Sequence, residues 1–395
     1  MNKKIYKTIE KNTHRYHVMQ PDEIMGTTAI IVEKDGKALL IDTQFSKSDA
    51  QKIIDVLKEK NLALTTIYIS HSDPDYYFGT SFIKEVFPDA DILATRYTIA
   101  RMKKSYASKL DIWSPVLKED TPTKIIIPEI IYGKLLFEEL EFQIVGQEPL
   151  KTSLFNAKDK MLLGGICVAE GEHLFLADTP TIEEQKQWIK DLQYFKKLEL
   201  NQVVPGHFIV DNDFSTQNLD FTEQYIEVFI EKSEKTTTSE ELINAMKEAY
   251  PNLPLGNLEL SAKVVKGEQN WDNEDVSPAE VLDLATEVHP FSGRTAEVLF
   301  ETGYHFKLVY SEDNHVTWTS LSQETYGNSE TEKIYVHKLS RNLYTVNWIE
   351  STGVSVSHNI NLDEGTVWAF MSWNDAAKYG GRDVLVHGGV FSFTD

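Results

Sequence analysis

Cys167 is the sole cysteine in 395 residues, which excludes an internal disulfide and any Cys-rich zinc site. Basic residues are scarce: 39 Lys and Arg face 61 Asp and Glu, for a formal charge of −22. A field of that sign repels phosphate backbones and anionic lipid, so neither nucleic acid nor a membrane surface is an expected partner. The acidic residues are spread out and form no tail, which fits a solvated surface. No run approaches the roughly 18 apolar residues of a membrane helix. The opening MNKKIYKTIEKNTHRYHVMQ lacks the apolar centre of a secretory signal, so a cytoplasmic protein is expected. Internal repeats and low-complexity tracts are also missing.

What is present is ordinary globular material. Hydrophobic residues at 41 % suffice for packed cores, and the length exceeds one ordinary core, so two domains are expected. Strands TTAIIV at 27–32 and ALLI at 38–41 flank Asp35-Gly36, a hairpin dipeptide. Ser46 is placed to cap a helix that aligns Ala50, Ile53, Ile54 and Leu57 on one face. The run TIYIS at 66–70 then leads into His71-Ser72-Asp73-Pro74-Asp75-Tyr76. Strand, helix, strand is a βαβ pattern, and the loop after such a strand is where α/β proteins build sites.

A helix near 80–87 and a strand at 91–94 follow, then an irregular stretch to about 122 containing Trp113, read as a surface loop or lid. Strands are expected at 124–127, 141–145, 152–156, 161–164 and 173–177, and a helix over 181–197 after Asp178. NQVV at 201–204 runs into Pro205-Gly206-His207. Helical periodicity covers 218–250, with Thr238 and Glu241 as a capping box. Residues 251–273, rich in Pro, Gly and Asn, read as a linker. Beyond about 285, apolar residues recur every second position, as in Tyr344/Val346/Trp348, between turns spaced for an antiparallel barrel.

The first part resembles the metallo-β-lactamase superfamily. His71-Ser72-Asp73-Pro74-Asp75-Tyr76 is similar to its H-x-H-x-D-H loop, and Asp42 matches an acidic position at the end of an early strand. Gly146-Gln147-Glu148-Pro149 stands where the family has G-H-T-P, and Gly164-Gly165-Ile166 where it has a GGC or GD ligand. Pro205-Gly206-His207 resembles the late His that closes a second metal site. The resemblance implies an αββα sandwich over 1–215, here followed by a helical extension and linker at 216–272. Of the implied ligands, His71, Asp75 and His207 are retained and Asp73 stands at the second His. Gln147 replaces the third His, Ile166 the bridging ligand, and Tyr76 the residue after Asp75. Two metals about 3.5–4 Å apart need a bridging group, so at most one divalent ion (Zn, Fe or Mn) is expected, on His71, Asp73, Asp75 and His207. The loop alone is also a good turn, which leaves a metal-free remnant open. Cys167, one position late, reads as a small buried hydrophobe; Asp178 as a helix N-cap; His173 as a hydrogen-bonded core residue. His14 and His17 carry no ligand spacing.

The domain expected over 273–395 resembles, from about 285 onward, the MoaF-like and phenolic-acid-decarboxylase barrels, which are lipocalin-like, through Leu343-Tyr344-Thr345-Val346-Asn347-Trp348-Ile349-Glu350-Ser351-Thr352-Gly353. The fold class expected for the chain is therefore α/β plus all-β. In the decarboxylases an acid matching Glu350 works with an arginine, and HVTWTS offers none in that region. Trp318, Tyr335, Trp348 and Trp368 are candidate pocket walls. Three functions follow as expectations. The first is a hydrolase of a small ester, lactone or amide, with Asp75 orienting a metal-bound water. The second is a non-catalytic binder of a small molecule. The third is a lyase centred on Glu350.

Overall fold

The computed structural model describes residues 4–209, 211–272, 274–283, 289–340 and 342–395. The chain divides into two compact units, 1–277 and 278–395. The expected boundary residue, Asn273, lies outside the described residues.

In the first unit, seven strands from Ile5–Glu10 to Glu129–Ile130 pair in chain order. Asp35 and Gly36 have positive φ, as a two-residue hairpin turn requires, and pair Ile30–Lys34 with Lys37–Ile41 antiparallel. The next connection is the helix Lys47–Glu59, where Ser46 accepts from the Asp49 backbone. It leads into Ala63–Ile69, which lies parallel to Lys37–Ile41. A second sheet runs in the order Gln202–Val204, Met161–Leu163, Ser153–Asn156, Leu140–Val145, Leu135–Phe137.

Parity fixes the layers. Val18, Ile30, Val32 and Ile41 of the first sheet share one core with Phe142, Leu154, Met161 and Leu163 of the second. Val145, Phe155, Leu162 and Val203 instead join Trp188, Leu192, Phe195, Tyr225 and Phe229 from the helices Ile182–Lys196 and Gln217–Lys235. On the first sheet Ile31, Leu40 and Ile67 have the opposite parity and are also buried, as is the apolar face of Lys47–Glu59. This is the αββα layering that the resemblance implied.

Five local expectations change. Residues 96–117 form a helix, capped by Thr95, not a loop. Pro115 sits in its last turn. Residues 124–127 are not a strand, and residues 173–177 are irregular, with a short strand at Ala169–Glu170 just before them. Thr181, not Asp178, caps the helix Ile182–Lys196, through a full capping box with Glu184. The linker contains a helix, Leu258–Val265, whose Leu258 and Ala262 join the core of the first unit.

The second unit is one nine-stranded antiparallel sheet. Its edge strands, Ser329–Lys333 and Tyr335–Ser340, are consecutive in the chain, so the sheet curls into a nearly closed barrel. Inward residues such as Val298, Leu308, Val346, Ile360 and Phe391 form its core. Trp348 is buried, whereas Tyr335 and Trp368 are more than half exposed. Trp368 lies between inward Val367 and Ala369, and strand alternation turns it outward. Tyr335 and Trp368 therefore do not line the barrel interior.

Candidate functional site

The site lies where three chain reversals meet. His71 follows Ala63–Ile69, and Asp75 belongs to the short helical turn Pro74–Tyr77. His207 opens the strand His207–Phe208, which pairs parallel with Ala169–Glu170 and bridges to Thr27. Two features lock these segments together. Asp42 accepts from the Ser70 backbone at 2.8 Å and from its hydroxyl at 2.6 Å. Burial pushes that carboxyl up to about 7 against those two bonds. Gly206 must be glycine: a Cβ there would sit 2.0 Å from the Gly165 carbonyl oxygen.

The four expected ligands form two separate pairs. His207 Nε2 is 3.0 Å from Asp75 Oδ2 and 3.1 Å from the Thr27 hydroxyl, while its Nδ1 is 3.2 Å from the Tyr76 hydroxyl. Thr27 also donates to Asp75. Burial pulls His207 down, but the bond to Asp75 and the charges of Glu172, Asp75 and Asp22 outweigh it and lift the imidazolium to about 9. Both ring nitrogens are thereby engaged. The second pair is His71 with Asp73: the Asp73 N–H donates to His71 Nδ1 at 3.2 Å. Burial draws that imidazole down to about 4, so it is neutral. Burial alone would raise Asp73, but the adjacent His71 and the charges of Arg101 and Lys109 hold it well below the usual carboxylate range.

The cations come from the helix Arg96–Leu117. Arg101 Nη2 bonds Asp178 Oδ2 at 2.6 Å, and the Trp271 indole donates to Asp178 Oδ1 at 2.6 Å. Lys109 Nζ lies 3.5 Å from Glu274, 3.9 Å from Asp73 and 5.7 Å above the Trp271 ring. Among the described residues, no three His, Cys, Asp or Glu side chains are placed to hold a metal ion. The donor set as arranged does not fit one: His207 has no free nitrogen, and Asp73 is already neutralised by protein cations. Gln147 is exposed, and its backbone, not its side chain, is engaged, by Asp191 at 2.5 Å. Ile166 lines both of the neighbouring cavities, one containing His71 and the other Asp75 and His207. Cys167 is buried in the core, where desolvation raises its thiol.

The larger cavity, about 610 Å³, has walls that include Ile112, Trp113, Phe175, Trp188, Leu260 and Trp271. Its polar lining includes Asp73, Asp75, His207, Glu172, His173 and Asp178. His173 is buried and bonds the Tyr225 hydroxyl through Nδ1 at 2.8 Å; its Nε2 has no partner. Burial lowers it to about 4 and raises Glu172 to about 7, so both are shifted toward the uncharged form. Sequence reading missed Thr27, Arg101, Lys109 and Glu172. The spacing of Arg101, Ser105 and Lys109, all buried, was a usable signal, since i, i+4, i+8 is one helix face.

In the barrel, Glu350 is half-buried after the strand Leu343–Ile349. Burial and the nearby acids Glu330 and Glu332 raise it to about 7. Among the described residues no cation is paired with it to serve as the arginine of a decarboxylase.

Similar solved structures include a β-lactamase domain protein from Burkholderia ambifaria, at 13 % identity over 66 % of this chain and 86 % of that one, TM-score 0.49. A metallo-β-lactamase family protein from Thermus thermophilus matches at 14 % identity over 62 % of this chain and 88 % of that one, TM-score 0.48. The metallo-β-lactamase FIM-1 from Pseudomonas aeruginosa, in a mono-zinc form, matches at 15 % over 56 % and 95 %, TM-score 0.40. No curated protein matches the chain. Residues 292–382, within the barrel, match the MoaF-like family model.

Proposed function

We propose that the first unit binds a small, largely apolar molecule in the 610 Å³ cavity without a metal ion, and that the barrel is a second small-molecule-binding unit. The size is that of a typical ligand site, and aromatic walls around a few polar groups are its usual chemistry. One observation carries the reading. Asp75 and His207 are bonded to each other and Lys109 stands 3.9 Å from Asp73, whereas the buried His173, which is among the residues lining the same cavity, has no partner at Nε2. An unpaired buried nitrogen costs about 1–3 kcal/mol, which a ligand's hydrogen bond would offset.

A second reading keeps the hydrolase chemistry of the superfamily, acting on a small ester, lactone or amide with one ion. In its favour, Asp73, Asp75 and His207 all line this cavity. It requires His207 Nε2 to exchange Asp75 for the ion. A thermal-shift fragment screen on the full chain, with and without EDTA, separates the two. Metal-independent hits that weaken in His173→Phe support the first reading. Hits that vanish with EDTA support the second.

A further inference from the structure

At one end of the barrel, aromatic rings form a continuous inner wall. Trp348 lies 4.7 Å from His358, His358 5.7 Å from Phe300, and Phe300 stacks on His387 at 3.9 Å. Phe306 continues from Phe300 at 6.4 Å and meets Trp318 at 6.0 Å. His358 and His387 are at least nine-tenths buried. Along this wall His358 Nδ1, His387 Nε2 and Trp318 Nε1 have no hydrogen-bond partner, and Trp348 stands beside the Glu350 carboxylate. Native interiors leave few such groups unpaired. Three lie along this one wall.

The rim of this wall is acidic. Glu330 pairs across the sheet with Trp318, and it accepts from the Ser351 backbone and hydroxyl at 3.2 and 2.7 Å, next to Glu350. The charges beside Glu350 are those of Glu330 and Glu332, so like charges face one another. Aromatic rings next to carboxylates are the chemistry that receives an organic ammonium. A carboxylate ligand would instead meet repulsion.

We propose that this end of the barrel binds a small aromatic amine, its ammonium at Glu350 and its ring among Trp318, Phe306 and Trp348. The assignment rests on the reading of the barrel as a binding unit, and it reverses the charge of ligand that a phenolic-acid barrel would take. Isothermal titration of the full chain with 2-phenylethylamine, 2-phenylethanol and phenylacetate tests it. The amine is expected to bind about tenfold more tightly than the alcohol, with phenylacetate weakest. Glu350→Gln should bring the amine down to the level of the alcohol and leave the alcohol unchanged. Should that variant melt early, Glu330→Gln carries the same test. An amine no tighter than the alcohol, or insensitive to these substitutions, overturns the assignment while the barrel remains a binding unit. If none of the three probes binds, the binding reading of the barrel falls with it.

Discussion

Glu172 and His173 are neighbours in the chain whose charged forms are both disfavoured by burial, one carboxyl raised and one imidazole lowered. For Glu172 the consequence for stability has a definite sign. Its carboxyl ionises more readily in the unfolded chain, so it withdraws stability as pH rises from about 4.5 through about 7. Glu172→Gln should therefore stabilise the protein by roughly 1–3 kcal/mol at about pH 8 and have almost no effect at about pH 4.5. Thermal denaturation at both pH values checks this, and an equal effect at both would show that ionisation is not the cause. Ile166 gives a second expectation at this scale. With isoleucine where a bridging ligand would stand, we expect turnover of a chromogenic cephalosporin to stay far below about 1 s⁻¹, measured by absorbance with added zinc. A rate at or above that value would contradict it.

The helix Arg96–Leu117 decides what the pocket holds. Its buried face carries Arg101, Ser105 and Lys109, and Arg101 and Lys109 reach carboxylates of the site. The same fact hides the helix in the sequence: a buried face made partly of charged residues has no apolar stripe, and periodicity then reads as a loop. Strands and helices with ordinary faces were legible, among them Lys47–Glu59, Ile182–Lys196 and the alternating barrel strands. The landmark residues of the site could likewise be placed, because loops after strands converge in an αββα sandwich. Their pairing could not be read, since it depends on cations that sit elsewhere in the chain. Residues 173–177 failed for a related reason. HLFLA alternates like a strand, but His173 bonds Tyr225 and the Leu176 backbone donates to Ser261 at 2.9 Å, so side chains take the place of a ladder. Arg101→Met would leave Asp178 without its guanidinium and strip a neutralising charge from Asp73. We expect a loss of about 3–5 kcal/mol in urea denaturation, and a loss under about 1 kcal/mol would mean that the pair is solvated after all.

On the scale of the whole molecule, each unit has its own core and its own candidate site. Expressed alone, residues 278–395 are expected to fold and melt cooperatively; an unstructured fragment by circular dichroism would show that the barrel needs the first unit. In the first unit we expect the protein cations and the Asp75–His207 pair to take the place of a metal. Elemental analysis of the full chain, purified without a His-tag and then offered zinc, tests it most directly. We expect far less than one ion per chain and no rise in melting temperature with zinc, since an ion at about 100 times its Kd would add roughly 2.7 kcal/mol. A stoichiometric ion that raises the melting temperature and is lost in His207→Ala would contradict the claim.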